Sequence, residues 1–545
     1  MKAAELFVRC LENEGVEYIF GIPGEENIDI MDALLDSTMK FVTTRHEQGA
    51  AFMADVYGRL TGKAGVCLST LGPGATNLMT GVADANMDRA PVVAIAGQGS
   101  THRMHKESHQ ILDLVQLFQP ISKYATQVRA ADTIPEVVRK AFKVSQTESP
   151  GACFIEIPEN IAEDETDARP ILVQTPLAPS PHHTKIAQAV SLIAASKCPL
   201  VLAGNGVIRQ RADADLRAFV EATRIPVATT FMAKGAIPAS HELNLGTIGL
   251  KARDMPWYAF ERADLVICVG YDMVEYHPEH WNPGGDKTII HVSALPAEVD
   301  ACYEVACGVL GALGESLSGI AARLEPRTDE PLAELRRSIV EERQSYAGDY
   351  SFPPKPQKIL WDLRQALDPS DIVISDVGAH KMWTALFYPT ERPNTCIISN
   401  GFAAMGIALP GAIAAKLVHP DRKVVALTGD AGFMMNSQEL ETALRMETPL
   451  VVLIWNDGEY GLINWHQTRT FGRTSHISFN NPDFVKYAES FGAKGVRVGD
   501  TRELAPILKE ALAAPTVTVI DCPVDYSENM KLTRRLQDLA NPMAR

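Results

Sequence analysis

The sequence predicts an α/β protein: three Rossmann-like, doubly wound parallel-sheet domains in series. Three observations predict this. At 545 residues the chain is too long for one ordinary core. Short β-branched apolar runs recur along it, bounded by breakers and separated by helical stretches, which is the pattern of buried parallel strands joined by helices. Several of those runs end in glycine turns or polar triplets, at the sheet edge where open α/β folds receive ligands. The net charge of −16, with no long run of Lys or Arg, argues against nucleic acid as a partner. No apolar run is long enough to span a membrane. The nine cysteines are scattered, with no CxxC pair, and no signal peptide is visible. Reduced thiols in a cytoplasmic protein are therefore expected.

Residues 1–165 form the first predicted domain. Ala3–Gly15 has the spacing of an amphipathic helix, and Tyr18–Phe20 is a strand. Gly21-Ile22-Pro23-Gly24 is a tight turn into a helix near Glu26–Leu35. Phe41–Thr44 is a strand ending in Arg45-His46-Glu47, and the helix after it starts with Gly49, Ala50, Ala51 and Ala54, suited to close packing. Gly65–Thr70 is a strand, after which Gly72-Pro73-Gly74-Ala75-Thr76-Asn77 turns the chain into another helix. Val92–Ala96 and Cys153–Ile157 are further strands. Glu47 stands out. The ordinary reading is a surface carboxylate paired with Arg45. Between a buried strand and a small-residue helix, however, partial burial is expected, and a carboxylate there can hold or share a proton. His109-Gln110 closes a polar stretch, HRMHKESHQ, most of which reads as solvated loop.

Glu165–Lys185 is rich in Pro, Thr and His and reads as a linker. Residues 186–330 form a second domain, with strands at Leu200–Ala203, Val227–Thr230, Leu265–Val269 and Ile289–Val292. Gly204-Asn205-Gly206 hints at a dinucleotide turn, but no GxGxxG is completed and a plain strand-end turn is preferred. Residues 331–357 read as a charged helix and a Pro-rich joint.

The third domain covers residues 358–525, with a polar C-terminal tail at 526–545. Asp371–Ser375 is a strand ending in Asp376-Val377-Gly378-Ala379-His380, and Thr395–Ile398 leads to Ala404-Met405-Gly406. Val424–Leu427 and Leu450–Ile454 are buried parallel strands around the helical stretch Ser437–Met446. Phe484–Phe491 is a helix and Thr516–Asp521 the last strand. The first strand of the central pair ends in Gly429-Asp430-Ala431-Gly432, the second in Asn456-Asp457-Gly458. A lone strand-end aspartate is most often a helix cap. Two, 27 residues apart on the same sheet edge, can share one hard cation such as Mg2+, and the helix start after Gly432 offers N–H groups to phosphates.

This pair resembles the thiamine diphosphate signature: GDG, an Asn about 27 residues on, and a backbone carbonyl two residues later. Here the turn reads Gly-Asp-Ala-Gly and the second side chain is Asp457. The metal positions carry over as Asp430, Asp457 and the Glu459 carbonyl, with Asn456 as the alternative ligand. Together with RHE, Gly-Pro-Gly-Ala-Thr-Asn and His109-Gln110, the motif makes nearly the whole chain similar to acetolactate synthases, most closely the catabolic, FAD-independent kind.

The resemblance implies thiamine diphosphate and Mg2+ as cofactors. It also implies a pyrimidine-binding domain first, a diphosphate-binding domain last, and a cofactor held between the first domain of one chain and the last of another. A homo-oligomer, dimer or tetramer, follows. Glu47 would bond the aminopyrimidine and favour the imino tautomer, whose nitrogen removes the thiazolium C2 proton. Gly24, Gly74 and Asn77 carry over as cofactor contacts from the first domain. Gly378, Ala379, His380, Gly429, Ala431, Gly432 and Tyr460 carry over from the third, with Met405 as the wedge between the cofactor rings. His109 and Gln110 fall at catalytic positions, and Gln110 and His466 at substrate positions. The implied reaction decarboxylates pyruvate and condenses the hydroxyethyl carbanion with a second pyruvate to give 2-acetolactate and CO2. FAD is not expected. Flavin-binding relatives have a segment resembling ARFDDR where this chain reads Gly270–Tyr276, GYDMVEY, and tend to have Phe and Lys where it has His109 and Glu159. A related thiamine decarboxylase or carboligase with another acceptor, and a non-catalytic homologue, are the alternatives.

Overall fold

The computed structural model describes residues 1–174, 178–249, 255–330 and 332–530. Much of the predicted tail, 531–545, thus lies outside the described residues. The chain forms three six-stranded sheets, and every ladder between their strands is parallel. The first sheet contains β1 (Tyr18–Gly21), β2 (Lys40–Thr43), β3 (Gly65–Ser69), β4 (Val92–Gln98), β5 (Tyr124–Gln127) and β6 (Ala152–Pro158), ordered β2-β1-β3-β4-β6-β5. The second contains β7 (Pro199–Ala203), β8 (Val227–Thr229), β9 (Asn244–Thr247), β10 (Leu265–Val269), β11 (Thr288–Ser293) and β12 (Val305–Leu310), ordered β12-β11-β10-β7-β8-β9. The third contains β13 (Ile372–Ser375), β14 (Cys396–Ile398), β15 (Val424–Gly429), β16 (Val451–Asn456), β17 (Lys494–Arg497) and β18 (Thr518–Pro523), ordered β14-β13-β15-β16-β18-β17.

The first and third sheets therefore share one strand order, and the strand direction of winding reverses between their first and third strands. Open α/β sheets form ligand crevices at such reversals. The second sheet has the doubly wound order of dinucleotide-binding folds, with its reversal between β7 and β10. β5, β9, β12 and β17, which the apolar pattern does not reveal, all lie at sheet edges. An edge strand pairs on one side only and can be short and polar, as YATQ and KGVR are.

One hydrophobic core joins the first and third sheets. The helix Glu47–Thr61 packs on the helix Ala408–Val418, with Ala50, Met53 and Val56 sharing that core with Ala408, Ala412 and Ala415. The small residues after Glu47 thus serve close helix packing between domains. Among the described residues no helix is long and apolar enough to cross a membrane.

Candidate active site

In the first sheet the predicted residues gather at the β1/β3 edge. Gly24 follows β1, and Gly72 precedes the helix Pro73–Met87 after β3. Thr70 touches both turns: a Cβ on Gly24 would lie 2.3 Å from its Cβ, and one on Gly74 would lie 2.9 Å from its Cγ2. Gly72 adopts φ +45°, and a Cβ there would lie 2.6 Å from the Gln110 carbonyl, so the HRMHKESHQ loop folds back onto this turn. The side chains of His109 and Gln110 are exposed at this rim.

Glu47 is the first residue of its helix, and His46 caps it: His46 Nδ1 accepts the Gln48 N–H at 3.1 Å. Glu47 is 8% exposed, and its Oε2 accepts from Asn77 Nδ2 at 3.0 Å. A Cβ on Gly74 would come within 3.2 Å of Oε1. The structure thus brings Glu47, Gly74 and Asn77 into contact, with Gly24 across Thr70.

In the third sheet Asp430 directly follows β15 and starts the helix Asp430–Asn436, earlier than the helix start expected after Gly432. Its Oδ2 accepts from the Gly458 N–H at 2.7 Å and from Asn481 Nδ2 at 2.6 Å, and its Oδ1 from the Ala431 N–H at 2.8 Å. Burial pushes the Asp430 carboxyl up, against these bonds. Asp457 is pushed up to about 7, first by burial and then by the charge of Asp430. Two carboxylates at one sheet edge, both raised by burial and one raised further by the charge of the other, form a donor set that a divalent cation would relieve. The Glu459 carbonyl accepts the Gly461 N–H at 2.9 Å, which leaves its second lone pair. Among the described residues no three His, Cys, Asp or Glu side chains converge on a metal position. A cation here would complete its shell with backbone and ligand oxygens. Asn456 is engaged by Asp521 and by Asn481.

His380 lies between the strand ends. Cβ atoms on Gly378 and Gly429 would come 2.7 and 3.2 Å from its Cε1. Burial pushes its pKa down to about 3, and Nε2 is buried without a hydrogen-bond partner. A neutral ring nitrogen left unpaired in the interior fits a polar ligand at this edge, as a diphosphate would be. Met405 is partly buried. Asp376, at the end of β13, accepts the N–H groups of Gly406 at 2.9 Å and Ala408 at 3.1 Å and so fixes the backbone after it. Burial pushes Asp376 up to about 6. A Cβ on Gly432 would meet Asp376 Oδ1 at 2.8 Å, so Asp376 touches both the Met405 loop and the Gly-Asp-Ala-Gly turn. Tyr460 precedes the helix Gly461–Phe471, none of whose residues is buried; Trp465 is partly exposed and His466 exposed.

The sequence pattern alone does not single out Asp376, Asn481 or Glu439. Asp376 carried a readable signal, since it follows its strand as Asp430 does. Asn481 comes to Asp430 from a loop 51 residues on, without periodicity to announce it.

Residues 1–117 match the N-terminal TPP binding domain of thiamine pyrophosphate (diphosphate) enzymes, 186–320 the central domain and 376–522 the C-terminal TPP binding domain. The chain is 39% identical to an acetolactate synthase of Bacillus subtilis, over 97% of this chain and 94% of that protein. It is 36% identical to a probable acetolactate synthase large subunit of Methanocaldococcus jannaschii, over 100% and 96%. It is 35% identical to a catabolic acetolactate synthase of Raoultella terrigena, over 98% and 97%. On this full-length similarity, the chain belongs to the acetolactate synthase family of thiamine diphosphate-dependent enzymes.

Proposed function

We propose that the protein is an acetolactate synthase that joins two pyruvates into 2-acetolactate with release of one CO2. The observation that carries this reading is the donor set at the third sheet edge, where the buried Asp430 and the partly buried Asp457 lie beside the unpaired His380 ring. Asp430, Asp457 and the Glu459 carbonyl hold Mg2+. His380, with the backbone of Gly378, Ala379, Gly429, Ala431, Gly432 and Tyr460, receives the diphosphate. Thiamine diphosphate, when bound, supplies the carbon nucleophile that takes up the first pyruvate.

The chain's own residues do the rest. Glu47, oriented by Asn77, holds a proton against the aminopyrimidine. Gly24 and Gly74, which let Thr70 and Glu47 pack close, contribute backbone to the same edge, and the Asp376-anchored loop presents Met405 to the cofactor. Gln110, beside His109, orients the keto acid without adding charge, and His466 lies where the second pyruvate enters. The site closes between two copies of the chain. Met434, Met435, Tyr460, Ile463 and Phe471, near the two aspartates in sequence, are 39–72% exposed and offer an apolar surface for a second copy.

FAD is not part of the catalytic set. At the β7/β10 reversal the glycine turn is filled by the chain itself. A Cβ on Gly204 would lie 2.4 Å from the Tyr271 Cα, and the Glu275 carboxylate accepts the Asn205 N–H at 2.9 Å. A nucleotide phosphate would compete with that carboxylate. The test is reconstitution of apoprotein with thiamine diphosphate and Mg2+ alone. Pyruvate consumption should appear without FAD; activity that needs FAD, or none without it, overturns the cofactor assignment.

A further inference from the structure

Glu439, in the third domain, reaches across to the backbone that carries Glu47. Its side chain is fully buried, and it opens the helix Glu439–Arg445. Oε1 accepts the Arg45 N–H at 3.0 Å and the His46 N–H at 3.1 Å, while Oε2 takes the Thr442 hydroxyl at 2.6 Å. These two amides follow β2, an edge strand. Among the described residues no neighbouring strand lies on that side to receive them, and without Glu439 these part-buried donors would lose their acceptor. Further along the same helix, Arg445 donates to the Thr43 carbonyl. Gly49 explains how the carboxylate gets so close: a Cβ there would lie 2.7 Å from Oε1. Glycine in a helix interior is otherwise unfavourable, so its presence matches the need for space.

We propose that Glu439 is a positioning residue for Glu47: by accepting the Arg45 and His46 N–H groups from the opposite domain, it sets the start of the Glu47 helix and thereby the direction of the Glu47 carboxylate. This rests on Glu47 being the carboxylate that activates the cofactor. The contact needs an acceptor oxygen in that place, which an amide also has. Burial pushes Glu439 up to about 7, so the neutral acid is within reach there too.

Two readouts test it, one without cofactor. In apoprotein, Glu439→Ala should cost the Arg45 and His46 amides about tenfold or more in hydrogen-exchange protection, and Glu439→Gln should keep it. In protein saturated with thiamine diphosphate and Mg2+, Glu439→Ala should slow C2-H/D exchange by about 10–100-fold, the range expected for a misplaced catalytic group. Cofactor affinity should stay within about threefold, and Glu439→Gln should restore the exchange rate. Gly49→Ala keeps Glu439 and suits a helix, yet its Cβ displaces Oε1; it should reproduce the Glu439→Ala result even if that variant folds poorly. Wild-type exchange in Gly49→Ala or Glu439→Ala overturns the proposal, as does a Glu439→Gln variant as slow as alanine. Glu47→Gln run in parallel separates the two ideas. Fast exchange in that variant removes the role of Glu47 itself, whereas slow exchange there with fast exchange in the other two removes only the role of Glu439.

Discussion

Glu275→Gln should stabilise the central domain in alkaline buffer and leave it nearly unchanged in acid. The carboxylate is buried over the Gly204-Asn205-Gly206 turn, accepting the Asn205 N–H at 2.9 and 3.0 Å and the Thr230 hydroxyl. Burial raises it to about 7 from an ordinary 4.5, while Thr230 and Arg209 oppose the rise. At about 1.4 kcal/mol per pH unit, the gap amounts to roughly 3 kcal/mol. Between the two values the folded chain holds more proton than the unfolded one. The contribution is therefore fully present below 4.5, is lost as pH rises toward about 7, and is flat above. Glutamine copies the neutral acid and keeps an acceptor for Asn205, so it should recover most of that loss. Hydrogen exchange of the Asn205 and β10 amides, corrected for intrinsic rates, should show up to about 100-fold more protection than wild type at pH 8 and little difference at pH 4. Equal effects at both pH values, or less protection at pH 8, would show that the Glu275 charge does not destabilise the domain.

Asp430→Ala and Asp457→Ala should each abolish tight cofactor loading, because without the cation the diphosphate faces like charge; unchanged affinity in a fluorescence titration of both would remove the metal assignment. Glu47→Gln should fold and bind cofactor but exchange the C2 proton about 10²–10⁴-fold more slowly, as measured by NMR. Mixing inactive Glu47→Gln with inactive Asp430→Ala protein should restore some activity if each site draws on two chains, and a fully active monomer in sedimentation would contradict this. Pyruvate should outcompete 2-oxobutanoate as acceptor. With His466 rather than an indole at the aligned position, the extra methylene forgoes apolar contact of roughly 1 kcal/mol, or about fivefold. A clear preference for 2-oxobutanoate would mean that Trp465 fills that position instead.

Much of this was legible in the sequence because buried parallel strands announce themselves. Val424–Gly429 and Val451–Asn456 are buried almost throughout, so their runs are continuous and their ends easy to find. Asp430 and Asp457 could be placed on one edge from that alone. The edge strands were not legible, because pairing on one side relaxes the demand for apolar residues. Nor were residues whose role depends on contacts between domains. Glu439 lies 394 residues from Arg45, and in sequence it is an ordinary glutamate opening a helix. Asn481 reaches Asp430 from a loop, where neither period nor composition encodes the contact. In sequence Gly49 is one more packing residue in a small-residue helix. The structure adds that its missing Cβ makes room for a carboxylate from another domain.

The carbon balance of the reaction tests the proposed function most directly. Apoprotein reconstituted with thiamine diphosphate and Mg2+ would be given isotopically labelled pyruvate, with CO2 and the organic product counted together. Two pyruvates should be consumed for each CO2 released, with 2-acetolactate as the product. One pyruvate consumed per CO2, with acetaldehyde accumulating, would show a decarboxylase without the carbon-joining step and would contradict that function.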